Sequence, residues 1–409
     1  MSKRRAALTS IYYRLTAVLF LFYVLSVSGC YQILKREITT PEKALIQIRH
    51  LYPEFDDDMD LDSLALAVNR NLEYLNKLDP DYIFTYGSKK FTCLQVRDSQ
   101  EAFLKLILNT PDRRILTREI KKNFILYRVA GSTGKGKVLF TGYYEPVFDA
   151  STKEDGPFKY PVYRMPDDLI KVDLSLFNKK YKSETIIARL DGNKVLPYYS
   201  RKQIEDEKAL DGKGLEIAWL KDPLDVAFLQ IQGSGRLRLE GGETVPVGYM
   251  AANGHPYNSI GKYMIEKGYL SREEMSMQAI RKYLSAHPET VNDVLNYNPS
   301  YVFFRVLDNN SPLGNIQVTL TGGRSIAMDS SLFPKGALCF LTCKKPVINS
   351  KGEIEGWTDF SRFIMNQDTG GAIKGAGRAD IFWGSGQYAE VAAGHMKQTG
   401  ELYILIKKH

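Results

Sequence analysis

The chain has 409 residues, 44% of them apolar and 25% charged, a globular composition that excludes a mainly disordered or fibrous protein. At about 100–200 residues per domain the length suits two domains, or one large and one small. Four cysteines (Cys30, Cys93, Cys339, Cys343) are too few for a disulfide scaffold, and five scattered histidines without HExxH or CxxC make a metal site unexpected.

The N-terminus reads as an export signal. Residues 1–14 carry Lys3, Arg4, Arg5 and Arg14 and no acid, and an uncharged run follows from Leu15 to Val27. This is a charged n-region followed by an h-region too short for an ordinary spanning helix. The run ends in Val27-Ser28-Gly29-Cys30, which resembles a bacterial lipobox. Cys30 would then be acylated and become the mature N-terminus after loss of residues 1–29. An uncleaved N-terminal anchor is the alternative, and either one tethers an exported body to a membrane. Tyr31, not Asp, follows the cysteine, which favours the outer membrane and a body facing the periplasm. The leader's four basic side chains supply half of the +8 formal charge, so the nearly balanced remainder gives no electrostatic case for nucleic acid.

From Thr40 to about Lys122 the periods are helical. Pro41 sits at a first helical position before KALIQIRHLY, and Leu61, Leu64, Val68, Leu72, Leu75 and Leu78 mark one apolar face stopped by Pro80. Asp98 with Glu101 resembles a capping box before AFLKLIL. From Asn123 onward short β-rich runs take over: NFILYRVA, KVLFTGYYEP, YVFFRVLD, NIQVTLTGG, ALCFLT, RFIMNQD and LYILIKK, as in a barrel-rich fold. Helices are expected around Tyr257–Lys267, Ser271–Leu284 and Gln387–Lys397. Residues 131–137 (GSTGKGK) fit the GxxxxGK of a phosphate loop, but Val138 replaces the Mg²⁺-binding hydroxyl residue and a strand follows instead of a helix. A hairpin turn is the better reading.

Chemistry-bearing residues concentrate in the last hundred positions. Asp329 (SIAMDSSLFPKG), Asp368 (FIMNQDTGGAIKG) and Asp380 (GRADIFWGSG) stand at the ends of apolar runs. Two such carboxyls brought together and buried would leave one protonated near neutrality, able to donate to a leaving oxygen. The plainer reading is three turn residues closing loops through Asx hydrogen bonds. Lys374 reads either as an anchor for a carboxylate or sugar hydroxyl or as a solvated surface lysine. Tyr143, Tyr144 and Glu145 in GYYEP put aromatic faces and a carboxylate at a strand end. In FLQIQGSGR, Gln230, Gln232 and Ser234 offer groups that match sugar hydroxyls, although for the Gln pair taken alone the alternation is better read as a half-exposed strand.

GYYEP, PVYRMPDDLI, FLQIQGSGR, NPSYVFFR, AMDSSLFPKG and QDTGGAIKG…RADIFWGSG occur together and in this order. Over roughly residues 120–409 the chain resembles the membrane-bound lytic murein transglycosylase A (MltA) family with its C-terminal three-aspartate 3D domain. The resemblance implies a mainly β fold with N-terminal helices: a double-psi β-barrel domain plus a second, smaller β-barrel domain, with a glycan groove between them. It places the barrel domain at residues 30–141 and 301–409 and the inserted domain at 142–300.

The activity implied is cleavage of the β-1,4 bond between N-acetylmuramic acid and N-acetylglucosamine in peptidoglycan, without water, leaving a 1,6-anhydro ring. Carried over by motif, Asp380 is the catalytic acid, Asp368 its close partner, and Asp329 supporting. Tyr143, Tyr144, Glu145, Gln230, Gln232, Ser234 and Lys374 are the candidate substrate contacts. No cofactor and no metal are implied. Partners would be glycan strands, the membrane through acylated Cys30, and candidate cell-wall synthesis or division machinery. A hydrolase using Glu145 or Asp368 as second carboxylate, or a non-catalytic glycan-binding lipoprotein, are the rivals.

Cys339 and Cys343 lie four apart in an expected strand, about 13 Å, too far for a mutual disulfide. Pairing of one with Cys93, or three buried thiols, both remain open from the sequence.

Overall fold

Chain order in the computed structural model, which describes residues 38–110, 112–182, 184–308 and 312–408, starts with a single helical turn, α1 (Pro41–Ala44). The expected signal segment 1–29 and Cys30 lie outside the described residues. KALIQIRHLY does not continue that helix: residues 45–48 form strand β1 (Leu45–Ile48), with Leu45 opposite Val129. Tertiary pairing overrides the helical spacing here, and Ile46 and Ile48 are β-branched. Helix α2 (Leu61–Leu75) starts at Asp60, whose side chain accepts from the Ser63 N–H, and it ends ahead of Pro80. A hairpin of β2 (Ile83–Tyr86) and β3 (Lys89–Thr92) follows. Helix α3 (Cys93–Asn109) begins at a reciprocal Thr92–Gln95 capping box, so Asp98 and Glu101, expected to open it, lie inside it. After α4 (Arg113–Asn123) come β4 (Phe124–Val129) and β5 (Val138–Glu145). Helices α2 and α3 bury Leu64, Val68, Phe103 and Ile107 against Phe340, Phe363 and Leu405.

Strands β6 (Val147–Ser151), β7 (Tyr160–Tyr163), β11 (Glu216–Leu220), β12 (Ser234–Arg238), β13 (Thr244–Ala252) and β14 (Val302–Val306) form one sheet, ordered β14-β13-β12-β6-β11-β7. A bridge from Arg164 to Phe304 joins its two ends. Between them β8 (Ile170–Asp173), β9 (Thr185–Asp191) and β10 (Lys194–Pro197) make a separate three-stranded sheet. The helices of this region are α5 (Arg201–Glu205), α6 (Pro223–Gln232), α7 (Ile260–Glu266), α8 (Met277–Ala286) and α9 (Val291–Asn296). Helix α8 starts at Met277 behind the Ser276 cap, later than the expected Ser271.

FLQIQ is helical, which corrects the half-exposed strand expected there. Asp222 accepts from the Leu224 N–H, Pro223 occupies the first turn, and Gly233 closes the helix at φ 75. These end signals outweigh a two-residue alternation too short to specify a strand. Asp222→Ala is expected to cost about 1 kcal/mol of stability, read from the urea midpoint at constant m.

The last strands are β15 (Ser325–Ala327), β16 (Leu338–Ile348), β17 (Ile354–Asp368), β18 (Arg378–Ser385) and β19 (Gln398–Lys407), with α10 (Gln387–His395) before β19. They join β1, β4 and β5 in the order β1-β4-β19-β16-β17-β15-β18-β5. Because β19 also pairs with β5, the strands β19, β16, β17, β15, β18 and β5 close into a six-stranded barrel. Two of its contacts, β15–β17 and β18–β5, are parallel. NIQVTLTGG is not a strand: only a Leu313–Thr319 bridge forms, and Gln317 turns the chain at φ 56. GSTGKGK does join two strands, with Gly131, Gly134 and Gly136 at positive φ, but β4 and β5 are not paired with each other, so the turn is not a hairpin. Cys93, Cys339 and Cys343 are free, buried thiols in the barrel core. Among the described residues no helix is long and apolar enough to cross a membrane.

Candidate active site

The three-residue strand β15 sets the geometry. Ala327 at its end pairs with Asp368 of β17 on the parallel side and with Asp380 of β18 on the antiparallel side. Two strand spacings therefore separate the aspartate backbones, about 9–10 Å, with one small residue between them. Next to β18 in parallel register lies β5, where Thr141 is opposite Asp380 and Tyr143 opposite Phe382. Thr141, Tyr143 and Glu145 alternate along one face of β5, and Tyr144 takes the other.

The Thr141 hydroxyl donates to Asp380 Oδ1 at 2.7 Å. Tyr143 donates its phenol proton to Asp368 Oδ2 at 2.7 Å, while the backbone N–H groups of Asn315 (3.0 Å) and Thr369 (2.8 Å) donate to Oδ1. The Tyr143 ring is fixed among Leu320, Ala327 and Phe382. Burial pushes the Asp368 carboxyl up to about 6, against the lowering effect of its three donors. Burial likewise pushes Asp380 up to about 6; Thr141 and Arg378 oppose it, and the charge of Asp368 adds to it. Burial and the neighbouring aspartates hold the Tyr143 phenol well above its ordinary value, so it stays a donor. Two carboxyls near neutrality, one with a single hydroxyl partner and one with three donors, can act as a proton donor beside an anion.

The other expected residues are distributed differently. Asp329 is buried and accepts from Ser331 N–H, Ser331 Oγ and Gly375 N–H, tying the loop after β15 to the one after β17. Burial raises its pKa, but these donors and the charge of Lys374 outweigh that and leave it lowered. Lys374 itself is exposed. Glu145 is buried and accepts from Arg236 Nε at 3.0 Å; burial raises its pKa and Arg236 opposes the rise. Gln230 is buried and accepts from Arg201 Nη2, and Gln232 Oε1 accepts from the Tyr144 N–H at 2.9 Å. Ser234 is buried opposite Gly248 in β12. Tyr144 lines a separate cavity of about 220 Å³ with Phe228, Met277, Gln278, Arg281, Lys282 and Glu390. The structure thus unites Asp380, Asp368 and Tyr143, and surrounds them with Thr141, Asn315 and Arg378, which sequence reasoning missed. The spacing of Thr141 and Tyr143 on one strand was the available signal. Among the described residues no three His, Cys, Asp or Glu side chains are grouped to hold a metal ion.

Residues 139–305 match the family described as the MltA specific insert domain, and residues 324–406 match the 3D domain. The membrane-bound lytic murein transglycosylase A of Vibrio cholerae serotype O1 is 33% identical over 280 residues, 68% of this chain and 68% of that protein. The chain belongs to the membrane-bound lytic murein transglycosylase A family. Its MltA relative from Escherichia coli K12 is 32% identical over 281 residues, again 68% of each chain. Among solved structures, a membrane-bound lytic murein transglycosylase from Agrobacterium tumefaciens matches with a TM-score of 0.70 and 29% identity, covering 85% of this chain and 93% of that one. E. coli MltA with bound chitohexaose matches with a TM-score of 0.68 and 26% identity, covering 91% and 96%. The mainly β MltA fold expected from the motifs is the fold found.

Proposed function

We propose that this chain is a murein-cleaving lyase that breaks the β-1,4 bond between N-acetylmuramic acid and N-acetylglucosamine and forms a 1,6-anhydro end, with Asp380 as the single acid and base. The observation that carries this reading is the pair of half-buried carboxyls beside Ala327, both raised to about 6 but differently solvated by donors. Family membership and the chitohexaose bound by E. coli MltA support the substrate class.

Asp368 accepts three hydrogen bonds and gives none, which favours its anion. Asp380 has one hydroxyl partner and keeps the proton. That proton goes to the glycosidic oxygen as the C1–O bond breaks. The C6 hydroxyl of the same muramic acid then bonds to C1 and returns its proton to Asp380, so the acid is regenerated without water. Tethering of the nucleophile replaces a bimolecular attack, an advantage that reaches about 10⁵ M in effective molarity for aligned groups. The anionic Asp368 offsets the positive charge that develops at C1. Glu145 is held by Arg236, which argues against its use as a second carboxylate by a hydrolase.

The proposed division is a barrel domain from residues 30–141 and 301–409 with residues 142–300 inserted. Sheet membership supports an inserted unit but moves its edges: β6, β7 and β11 to β14 form the second sheet, so β14 (Val302–Val306) goes with the insert, while β5 stays with the barrel sheet as far as Glu145. Cys30 would carry the lipid anchor in the cell envelope, consistent with relatives named as membrane-bound.

Tyr143→Phe tests the division of roles. Losing the phenol donor raises the Asp368 pKa further, so the acidic limb of the pH–rate profile is expected to move to higher pH, with kcat down about tenfold. An unchanged profile would detach Tyr143 from the chemistry. Asp380→Asn retaining substantial cleavage of murein would overturn the acid assignment.

A further inference from the structure

Strand pairing sorts the side chains of the sheet β8–β9–β10 onto two faces. Ile187 of β9 faces the body of the protein, where a Cβ added at Gly254 would come within 2.6 Å of it, and Arg189 lies 4.4 Å over the Tyr199 ring. Ile186, Ala188 and Leu190 therefore share the opposite face. Across the strands they pair with Val172, with Ile170 and Pro197, and with Val195. Every residue of that face is apolar. Even so, Ile186 is 44%, Val195 54% and Leu190 61% exposed. The turn after β8 adds Leu176 at 83% and Phe177 at 75%. A soluble protein seldom leaves so many large apolar side chains of one small element in water without a use for them.

Charge identifies what covers them. Lys179, Lys180 and Lys182 follow Phe177 and are exposed, with no acid between Leu174 and Lys182. Lysine is depleted from the interiors of protein–protein interfaces, whereas ammonium groups beside apolar side chains match phosphate headgroups above acyl chains. We propose that this sheet face and its lysine-bearing turn dock the protein onto an anionic phospholipid surface. The docking face is independent of the catalytic reading and adds a second, reversible membrane contact distant in sequence from the leader. Such a contact would set the orientation of the body at the membrane rather than its attachment.

The test uses residues 38–409, which form a compact unit without the leader and so remove a competing anchor. Co-sedimentation is measured with vesicles of phosphatidylethanolamine and phosphatidylglycerol, and with vesicles of phosphatidylcholine alone. Binding to the anionic vesicles, weakened by salt, is expected. The triple change Lys179→Gln, Lys180→Gln, Lys182→Gln should weaken it roughly 100-fold. Leu176→Ser with Phe177→Ser should abolish it with the melting curve unchanged. No binding by the parent protein, or equal binding by both variants, overturns the proposal. So does a concentration-dependent dimer that Leu190→Ser with Val195→Ser dissolves, since a second copy would then cover the face. None of these readouts depends on murein cleavage.

Discussion

Asp380→Asn is expected to lower kcat on murein by about 10³–10⁴-fold, because the proposed mechanism gives one group both the acid and the base step. The same change should stabilise the fold at neutral pH. The Asp380 carboxyl titrates near 6 in the folded protein, against 3.8 for the ordinary group, so between these values the folded state binds more protons than the unfolded one. Stability then falls as pH rises through that window, by up to about 3 kcal/mol once both states are ionised. Asparagine removes that loss: the variant should melt higher than the parent above pH 6 and match it below 3.8. Melting curves at the two pH extremes check this. A variant that is inactive and also less stable at every pH would assign Asp380 a structural role.

Arg324→Met should cost about 3–5 kcal/mol, the usual penalty for breaking a buried ion pair from one side. Arg324 is fully buried, and its Nη1 donates to Asp57 Oδ2 at 2.7 Å and to the Phe363 carbonyl at 2.9 Å. Its Nη2 donates to the Asp60 carbonyl at 2.8 Å and its Nε to Ser63 Oγ at 3.1 Å. One guanidinium thus pins the approach to α2 against the barrel directly before β15, whose Ala327 separates the two aspartates. Beside it, burial raises the Asp58 pKa, but Arg362 and Lys345 outweigh that and hold the carboxyl below its ordinary range. The urea midpoint should fall at constant m, and Asp57→Asn in the same chain should restore part of the loss by removing the stranded charge.

Family and fold class were legible, and the two candidate aspartates could be singled out, because they rest on contiguous motifs. QDTGG and RADIFWG each place an aspartate at a strand end, and the strands RFIMNQD and LYILIKK announce themselves by composition. What pairing decides was not legible. Residues 45–48 have helical spacing but find an open edge on β4, and FLQIQ alternates but is enclosed between Asp222-Pro223 and a left-handed Gly233. Thr141 reaches Asp380 only through the parallel register of β5 and β18, two strands far apart in the chain, and no local pattern encodes that contact. The same holds for Asn315, whose N–H meets Asp368 because the expected strand there is a loop.

The most direct test is the mass of the muropeptides released from purified sacculi by residues 38–409, beside the same protein carrying Asp380→Asn. The account predicts products one water lighter than reducing-end muropeptides, ending in 1,6-anhydromuramic acid, and none from the variant. Reducing-end products from the parent protein would contradict it, and would make this site a hydrolase with a second carboxylate activating water.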